Sequence, residues 1–302
     1  MIQIEGLTKK YGNFEAVKDV TFDVRDGEVV GFVGPNGAGK TTTIEVSVGV
    51  KLPTSGDVRL DGYSITKDKV KASRTLGWVP EFPIFDPDMK ALDYFLYVCG
   101  LRGLSTSEAK RLAKELFEEV GLRGQEGKKI RQYSQGMRKR LALAISMIHD
   151  PKNFFFDEVL NGLDPEGIKF FRDTALKFRK EGKAVLFSSH ILSEVEALAD
   201  RVVFITKGRV VKVMAMDEIR AISRTKAFRV KFASEGGAAS MLEAMKPFGT
   251  PRVERNSIMI EDFNGDIEGV ARAVKGSPEF VEMGWVMRTL EDLFFEIVGE
   301  RK

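Results

Sequence analysis

The sequence predicts an α/β protein with a mostly parallel sheet, antiparallel strands near its N-terminus and a helical insertion, followed by a small α+β domain. Apolar runs bounded by polar residues, typical of parallel strands buried on both faces, occur at 29–33, 153–157, 184–188 and 201–206. Helical patterns separate most of these runs, as expected where parallel strands need crossover connections.

The N-terminal strands are expected to differ from the parallel ones. Residues 3–7 and 20–24 alternate apolar and polar side chains, which is the pattern of strands with one buried face. Asp26-Gly27 is a turn signal before the first apolar run. After a glycine-rich loop, a helix is predicted to run to about Val50.

Residues 86–149 change to a mostly helical character. Apolar residues recur at helical spacing in two stretches, which are Leu92, Phe95, Leu96 and Cys99, and Ala109, Leu112, Ala113 and Leu116. We interpret this segment, about 86–149, as a helical insertion within the α/β domain.

A second domain is predicted at residues 223–302, after a main domain at 1–222. Its strands are expected around 228–232, 258–260 and 280–286, and its helices at 238–245 and 267–274. A final helix is predicted to be capped by Thr289-Leu290-Glu291-Asp292, with Leu290, Leu293, Phe294 and Ile297 facing inward. The expected order β-α-β-β-α-β-α predicts a ferredoxin-like sandwich.

Composition limits the function classes. The chain has 47 Lys and Arg against 44 Asp and Glu, a net charge of +3, which favours neither nucleic acid nor an anionic membrane as a partner. Cys99 is the single cysteine, so no disulfide can form within the chain. No apolar run reaches the ~20 residues that span a bilayer. We therefore expect that the chain does not cross a membrane by itself.

The segment Gly34-Pro35-Asn36-Gly37-Ala38-Gly39-Lys40-Thr41 satisfies the phosphate-binding pattern G-x-x-x-x-G-K-[ST]. An apolar strand precedes it and a helix starting at Thr41-Thr42 follows, which is the context that the pattern requires. Backbone N–H groups and the helix N-terminus suit a phosphate, Lys40 can reach the β- and γ-phosphates, and the Thr41 hydroxyl can ligate Mg²⁺. The sequence therefore predicts a nucleoside triphosphate site of the P-loop NTPase type.

Polar residues also end two later apolar strands. Asp157 is expected beside the phosphate loop, where it would hold Mg²⁺ through water, and Glu158 is placed to polarise the water that attacks the γ-phosphate. His190 could hydrogen-bond the γ-phosphate and that water, at the sheet edge where such folds bind ligands. A solvated acidic turn and a helix-capping histidine are the plainer alternatives.

The start of the helix at 138–148 is a third candidate phosphate site. Ser134 is a good N-cap and Gly136 permits close backbone approach. The flanking cations are Lys128, Lys129, Arg131, Arg138, Lys139 and Arg140. Alone, this basic cluster would indicate a nucleic-acid patch or, more commonly, a solvated helix face.

Taken in order, these segments resemble the nucleotide-binding subunit of an ATP-binding cassette (ABC) transporter over about residues 1–215. The motifs that follow the phosphate loop are Tyr133-Ser134-Gln135-Gly136-Met137 (signature), Asp157-Glu158 (Walker B), Asn161-Gly162-Leu163-Asp164 (D-loop) and His190 (switch histidine). Tyr11-Gly12 matches the aromatic A-loop and residues 76–81 the Q-loop. The end of the chain, 289–299, is similar to that of the bacterial drug and antibiotic exporter subfamily, which carries a small C-terminal domain.

Three departures from the family pattern are evident. The signature keeps Ser134 and Gly136, which touch the γ-phosphate in the family, but its other positions differ from the common residues. Glu81 stands where glutamine is usual; it still offers an oxygen to Mg²⁺ but adds a negative charge. Val159-Leu160 follow Glu158 where proline and a small hydroxyl residue are common, so we expect a shifted D-loop backbone.

The resemblance implies an ATP-hydrolysing subunit that powers a transporter, an exporter in particular, through ATP-dependent closure of a head-to-tail dimer. It implies ATP and Mg²⁺ as cofactors, catalytic roles for Lys40, Glu158 and His190, and Mg²⁺ ligation by Thr41, Glu81 and Asp157. The residues expected to contact the nucleotide are Tyr11, Val17, Gly34, Pro35, Asn36, Gly37, Ala38, Gly39, Lys40, Thr41, Thr42, Ser134, Gln135, Gly136 and Asp164, of which Ser134 and Gly136 would act from the opposing subunit.

The implied partners are a second copy of the chain or a paralogous cassette, and separate membrane-spanning permease subunits at the cytoplasmic face of the cell membrane. No nucleic-acid partner is expected. The main alternative is a soluble cassette ATPase acting on nucleic acid or in translation; such proteins usually carry a long coiled coil or a second cassette, and no sustained heptad pattern is present. A GTPase or nucleotide kinase is a further alternative, although the sequence has no Asn-Lys-x-Asp segment for guanine.

Overall fold

The computed structural model describes residues 1–223, 226–287, 290 and 293–294. The chain divides into two compact units, Met1–Met216 and Asp217–Lys302. The boundary placed at 222/223 from the sequence stays a prediction, and the start of the second domain near Arg224 lies outside the described residues.

The first unit contains ten strands and seven helices within the described residues, and an eighth helix follows. The strands are Ile2–Tyr11 (β1), Phe14–Val24 (β2), Val29–Val33 (β3), Ser55–Leu60 (β4), Tyr63–Ser64 (β5), Leu76–Val79 (β6), Asn153–Asp157 (β7), Ala184–Ser189 (β8), Arg201–Thr206 (β9) and Arg209–Ala215 (β10). The helices are Lys40–Ser47 (α1), Lys69–Arg74 (α2), Ala91–Leu101 (α3), Thr106–Glu119 (α4), Gln135–Ser146 (α5), Pro165–Lys180 (α6), Leu192–Leu198 (α7) and Met216–Ser223 (α8).

Two sheets organise the first unit. The larger sheet has the order β10-β9-β3-β8-β7-β6 and is parallel except for β10, which pairs antiparallel with β9. The smaller sheet, in the order β2-β1-β4-β5, is antiparallel. This arrangement confirms the predicted mostly parallel sheet with antiparallel N-terminal strands.

One hydrophobic core joins the two sheets. Ile4 and Phe22 of the antiparallel sheet and Phe32 and Leu186 of the parallel sheet belong to the same buried cluster, which Ile44 of α1 also enters. Strands β3, β7 and β8 are buried along their whole length. Burial on both faces explains why their sequences are continuous apolar runs rather than alternating ones.

The predicted helical insertion is present as α3, α4 and α5, with a 3-10 turn at Ile130–Gln132. Its first two helices pack through Phe95 and Phe117, whose ring centroids are 5.6 Å apart. A capping box opens α4, because the Ser105 hydroxyl accepts from the N–H of Glu108 and the Glu108 carboxylate accepts from the N–H of Ser105.

Some elements differ from the sequence-based expectation. Helix α1 ends at Ser47 rather than near Val50, and Gly49 then takes a left-handed φ of 76°, as is common where a helix stops. Strand β10 is mostly exposed at the sheet edge, so its sequence lacks the buried apolar run that marks its neighbours. Among the described residues, no helix is long and apolar enough to cross a membrane.

The second unit is the predicted ferredoxin-like sandwich. Its elements are Lys226–Phe232 (β11), Glu235–Met245 (α9), Thr250–Glu254 (β12), Ser257–Glu261 (β13), Ile267–Val274 (α10) and Phe280–Met287 (β14), with a 3-10 turn at Lys246–Phe248. The sheet is antiparallel in the order β12-β13-β11-β14. Leu290, Leu293 and Phe294 are buried. Thr289, Glu291, Asp292 and Ile297, on which the predicted final helix also depends, lie outside the described residues.

Candidate nucleotide-binding site

Four neighbouring strands end at one edge of the parallel sheet. β3, β8, β7 and β6 run in parallel, so their carboxyl ends lie side by side. The phosphate loop, residues 34–41, follows β3, whereas His190, Glu158 and Glu81 follow β8, β7 and β6. This edge is where open α/β sheets place their ligands.

The phosphate loop folds tightly against β9. Gly37 and Gly39 have φ of +78° and +106°, a region that glycine enters without steric cost. A Cβ on Gly34 would lie 2.3 Å from the carbonyl oxygen of Ile205, so the close approach excludes a side chain there. Helix α1 begins at Lys40, within the last two residues of the loop, and the unpaired N–H groups of its first turn adjoin the loop. The segment therefore has the form of an anion cradle.

Lys40 lies inside the loop and is only 6% exposed. Its Nζ donates to the carbonyl oxygens of Gly34 at 2.7 Å and of Pro35 at 3.3 Å, and lies 3.2 Å from Oε1 of Glu158. The loop thus holds a buried ammonium next to a carboxylate at the strand ends, within reach of any phosphate that the backbone binds.

Several groups hold Glu158. Its Oε2 lies 2.9 Å from Nδ1 of His190 and accepts a hydrogen bond from Nδ2 of Asn161 at 3.2 Å, while Lys40 contacts Oε1. Its N–H donates to the Ser188 hydroxyl at 2.9 Å, and its φ of +47° is unusual for a residue with a side chain. Such backbone strain is most often found at functional sites.

Asp157 and Thr41 form a second polar group beside Glu158. Oδ1 of Asp157 accepts hydrogen bonds from the hydroxyls of Ser188 at 2.7 Å and Thr41 at 3.3 Å. Burial raises the pKa of Asp157 to about 6; these hydrogen bonds oppose the rise, and the negative charges of Glu158 and Glu81 add to it. Crowded carboxylates beside a hydroxyl supply the hard oxygen ligands that Mg²⁺ prefers.

Protein side chains alone do not complete such a metal site. Within the described part of the chain, no group of three or more His, Cys, Asp or Glu is arranged to hold a metal ion. Mg²⁺ is commonly bound through one or two carboxylates together with substrate phosphates and water. The donor set of Thr41, Asp157 and Glu81 fits that mode of binding.

A cleft of about 390 Å³ opens over these groups, a volume suited to a small ligand. Its lining residues are Tyr11, Phe14, Ala16, Asn36, Gly37, Gly39, Lys40, Thr41, Thr42, Glu81, Glu158, Asn161 and His190. Tyr11 is 43% exposed, and the ammonium groups of Lys9 and Lys51 lie 5.2 and 5.4 Å from its ring centroid. The cleft therefore combines an aromatic ring with a phosphate cradle.

Three lining residues, Phe14, Ala16 and Asn161, were not among the predicted site residues, and the nucleotide contact predicted at Val17 stays a prediction. Val17 is completely buried in the core, and Ala16 lines the cleft instead, because successive side chains of a strand point to opposite faces. Phe14 lines the cleft and is paired with Tyr11 across the β1–β2 hairpin. The signal available in the sequence was a second aromatic residue three positions after the first.

The other predicted site residues do not line this cleft. Gly34, Pro35 and Ala38 belong to the phosphate loop, and Asp157, a predicted Mg²⁺ ligand, ends β7. The Ser134 hydroxyl caps α5 by accepting from the N–H of Met137 at 3.2 Å, with Gln135 and Gly136 beside it. The Asp164 carboxylate caps α6 by accepting from the N–H of Gly167 at 2.8 Å.

Comparisons with known proteins identify the family. The profile of the ABC transporter family matches residues 17–161. The chain is 36% identical over 311 residues to YhcH, an uncharacterised ABC transporter ATP-binding protein of Bacillus subtilis (strain 168), with 100% of this chain and 97% of that protein covered. It is 31% identical over 302 residues to the bacitracin transport ATP-binding protein BcrA of Bacillus licheniformis, covering 99% and 97% of the two chains.

Solved structures share the fold of the first unit. The ATP-binding subunit of an ABC transporter superposes with a TM-score of 0.67 and 28% identity, over 73% of this chain and 92% of that chain. The cassette MJ0796, solved as a dimer in a post-hydrolysis state with ADP and Pi, gives a TM-score of 0.65 at 24% identity, over 72% and 99%.

Fold and site together define an ATPase of the ATP-binding cassette class. The chain belongs to the ABC transporter family, as an ATP-binding subunit. This membership confirms the resemblance found in the sequence and does not favour the nucleic-acid and translation alternative.

Proposed function

We propose that the chain hydrolyses Mg²⁺-bound ATP in this cleft to power export through separate permease subunits, with Glu158 as the general base. The observation that carries the proposal is the convergence of Lys40, His190 and Asn161 on the Glu158 carboxylate, beside a phosphate loop. The direction of transport rests on the resemblance of the C-terminal part to drug and antibiotic exporters. The relative named for bacitracin transport supports a role in transport.

The residues would divide the reaction between them. Lys40 and the N–H groups of the loop would bind the β- and γ-phosphates. As the oxygen of a water bonds to the γ-phosphorus, Glu158 would accept its proton while the bond to the bridging oxygen breaks, which releases ADP and inorganic phosphate. His190, hydrogen-bonded to Oε2, would hold the carboxylate in orientation.

Thr41, Asp157 and Glu81 would hold the metal. When bound, Mg²⁺ supplies positive charge that offsets the charge of the phosphate oxygens. Because Glu81 adds a negative charge where glutamine is usual, the three groups would favour a cation more strongly than the common set does.

The place of the signature segment, residues 133–137, supports a head-to-tail dimer. Ser134, Gln135 and Gly136 stand outside the cleft of their own chain, at the N-terminus of α5, where helix N–H groups attract phosphate. In the proposed dimer they would complete the nucleotide site of a second copy or a paralogous cassette, with Asp164 nearby in the same interface.

The helical insertion and the segment just before it carry the proposed contact with a permease. Phe82 and Ile84, just after Glu81, are 67% and 89% exposed, and Tyr97 and Leu101 of α3 are also exposed. By contrast, Phe95 is buried against Phe117 and belongs to ordinary packing. Exposed apolar side chains such as these fit a helix of a membrane partner, which would hold the chain at the cytoplasmic face of the membrane.

Glu158→Gln tests the catalytic assignment. The amide cannot accept the proton, so kcat for ATP should fall by roughly 10²–10⁴-fold, while ATP affinity stays near the parental value. Size-exclusion chromatography should then show an ATP-bound dimer. Glu118→Gln, on an exposed helix face, is the matched control and should leave kcat unchanged. Parental turnover in Glu158→Gln would show that Glu158 is not the base.

A further inference from the structure

Lys139, in α5, is a completely buried cation that the proposed chemistry does not use. It is 0% exposed, and its Nζ donates to the carbonyl oxygens of Val159 and Asn161, each at 2.7 Å. It forms no ion pair within the part of the chain that the structure describes. Two peptide carbonyls are therefore the direct partners of this charge.

Placing an ammonium in the interior is costly unless other groups stabilise it. Burial lowers the pKa of Lys139, and the negative charges of Glu81 and then Glu158 act in the opposite direction. Glu81 thus helps to keep this cation charged, and a glutamine at that position would not. The negative charge of Glu81 thus offsets part of the cost of burying the positive charge of Lys139.

The two carbonyls belong to the loop that follows the proposed base. Val159 comes directly after Glu158, and the proline common at this point in the family is absent, so the chain itself restrains the loop less. Asn161 lies two residues further on. Its Nδ2 donates both to Oε2 of Glu158 and to Oε1 of Glu81, at 3.2 Å each.

A second residue of α5 contacts the same loop. Gln135, four residues before Lys139 and hence on the same helix face, has Nε2 3.5 Å from the carbonyl oxygen of Asn161. A Cβ on Gly162 would lie 2.8 Å from Oε1 of Gln135, so the glutamine side chain packs directly on the loop backbone. Asn161 is therefore held by α5 through its backbone and holds two carboxylates through its side chain.

We propose that Lys139 is a positioning residue for ATP hydrolysis, which fixes the loop 159–162 so that Asn161 keeps the Glu158 and Glu81 carboxylates in place. Since α5 begins at the signature segment, one helix would both contact the nucleotide of the second subunit and set the catalytic carboxylate of its own cleft. The proposal rests on the proposed function, because it takes Glu158 as the base.

The test is Lys139→Met in the full chain, which keeps much of the side-chain volume and removes the donor. We expect kcat for Mg²⁺-ATP to fall about 10- to 100-fold, as for a misplaced catalytic group, with KM and ATP affinity within threefold of the parent. The double variant with Asn161→Ala should turn over no more slowly than the slower single variant, because both changes disable one contact path.

Arg102→Met is the matched control. Its guanidinium also has a pKa lowered by burial and donates to a backbone carbonyl, that of Ile148 at 3.1 Å, but it does not line the cleft. We expect this variant to change the unfolding temperature and leave kcat unchanged. If Lys139→Met does not fold, Lys139→Leu, which also lacks a donor, is judged by the same two criteria.

A parental kcat in the folded variant, or multiplicative losses with Asn161→Ala, would overturn the proposal. Glu158→Gln measured alongside separates the two ideas. If it is inactive while Lys139→Met is fully active, only the positioning role fails. If Glu158→Gln keeps parental activity, the assignment of the base fails, whatever Lys139→Met shows.

Discussion

The phosphate loop and the signature segment are both glycine-containing stretches before a helix, yet the chain constrains them very differently. At Gly34, a Cβ would meet the backbone of Ile205 at 2.3 Å. At Gly136 it would meet a side-chain carbon of Leu163 at 3.5 Å and Oγ of Ser134 at 3.9 Å, which are ordinary contacts. Lys40 is buried, while Ser134 and Gln135 are exposed. The fold of this chain requires a glycine at 34 but not at 136.

The difference indicates where each requirement comes from. A glycine that its own fold does not need leaves space for something that approaches from outside, such as a phosphate or another chain. We therefore expect the phosphate loop to be complete within one subunit, whereas the proposed dimer would supply the ligand of the signature segment. Variants that change one segment and not the other can test whether the two segments differ in this way.

Lys40→Ala should have the largest effect on binding. Its ammonium is the buried charge of the phosphate loop, and losing charge-assisted bonds worth roughly 1.5–3 kcal/mol should weaken ATP binding by about a hundredfold. Calorimetry on the single chain measures this directly, and Lys114→Ala, on the exposed face of α4, serves as the control. Unchanged affinity in Lys40→Ala would contradict the assignment of the phosphate loop.

Gly136→Ala tests the other half of the comparison, with a smaller expected effect. The ATP affinity of the single chain should stay parental and its unfolding temperature should not fall, because the new methyl group has space in this fold and alanine favours the helix. In the dimer the methyl group would stand where a phosphate approaches, so kcat should fall about tenfold, which corresponds to roughly 1.4 kcal/mol.

Gly127→Ala is the control for that experiment, since a Cβ there meets nothing within 4 Å. Both its stability and its turnover should match the parent. A Gly136→Ala chain that loses ATP binding as a monomer would show that the signature segment acts within its own subunit, and the contrast between the two segments would disappear.

Much of the site was predictable because its residues follow strands with strong patterns. The buried runs before Lys40, Glu158 and His190 place these three side chains at one sheet edge before any coordinates are known. The buried position of Lys139 was not predictable in this way. In the sequence it belongs to a run of cations on a helix, and only the packing of α5 against the loop 159–162 shows which of them turns inward.

The same limit explains why Val17 is buried while its neighbour Ala16 lines the cleft. Family resemblance gives the position of a contact to within a residue, but the pleat of β2 decides which of two neighbours faces the cleft. Ala16 and Phe14 are two residues apart on that strand and share its face, and both line the cleft. Register therefore has to be read from the structure.

Tyr11→Ala should have the smallest effect and sharpens the comparison within the phosphate-loop side itself. Tyr11 is partly exposed and already lies near two ammonium groups, so stacking on adenine should contribute toward the low end of about 1–3 kcal/mol, or about fivefold in affinity. Because the base is common to both nucleotides, the affinities of Tyr11→Ala for ATP and for ADP should fall equally. In Lys40→Ala, by contrast, the loss of affinity should be greater for ATP.

Calorimetry with both nucleotides, and with Phe14→Ala as the paired variant, decides how the two rings share the base. A loss below twofold in Phe14→Ala would leave Tyr11 as the main stacking residue, whereas an equal loss would show that the base lies between them. A Tyr11→Ala chain that loses ATP but not ADP would show that this ring acts on the phosphates and not on the base.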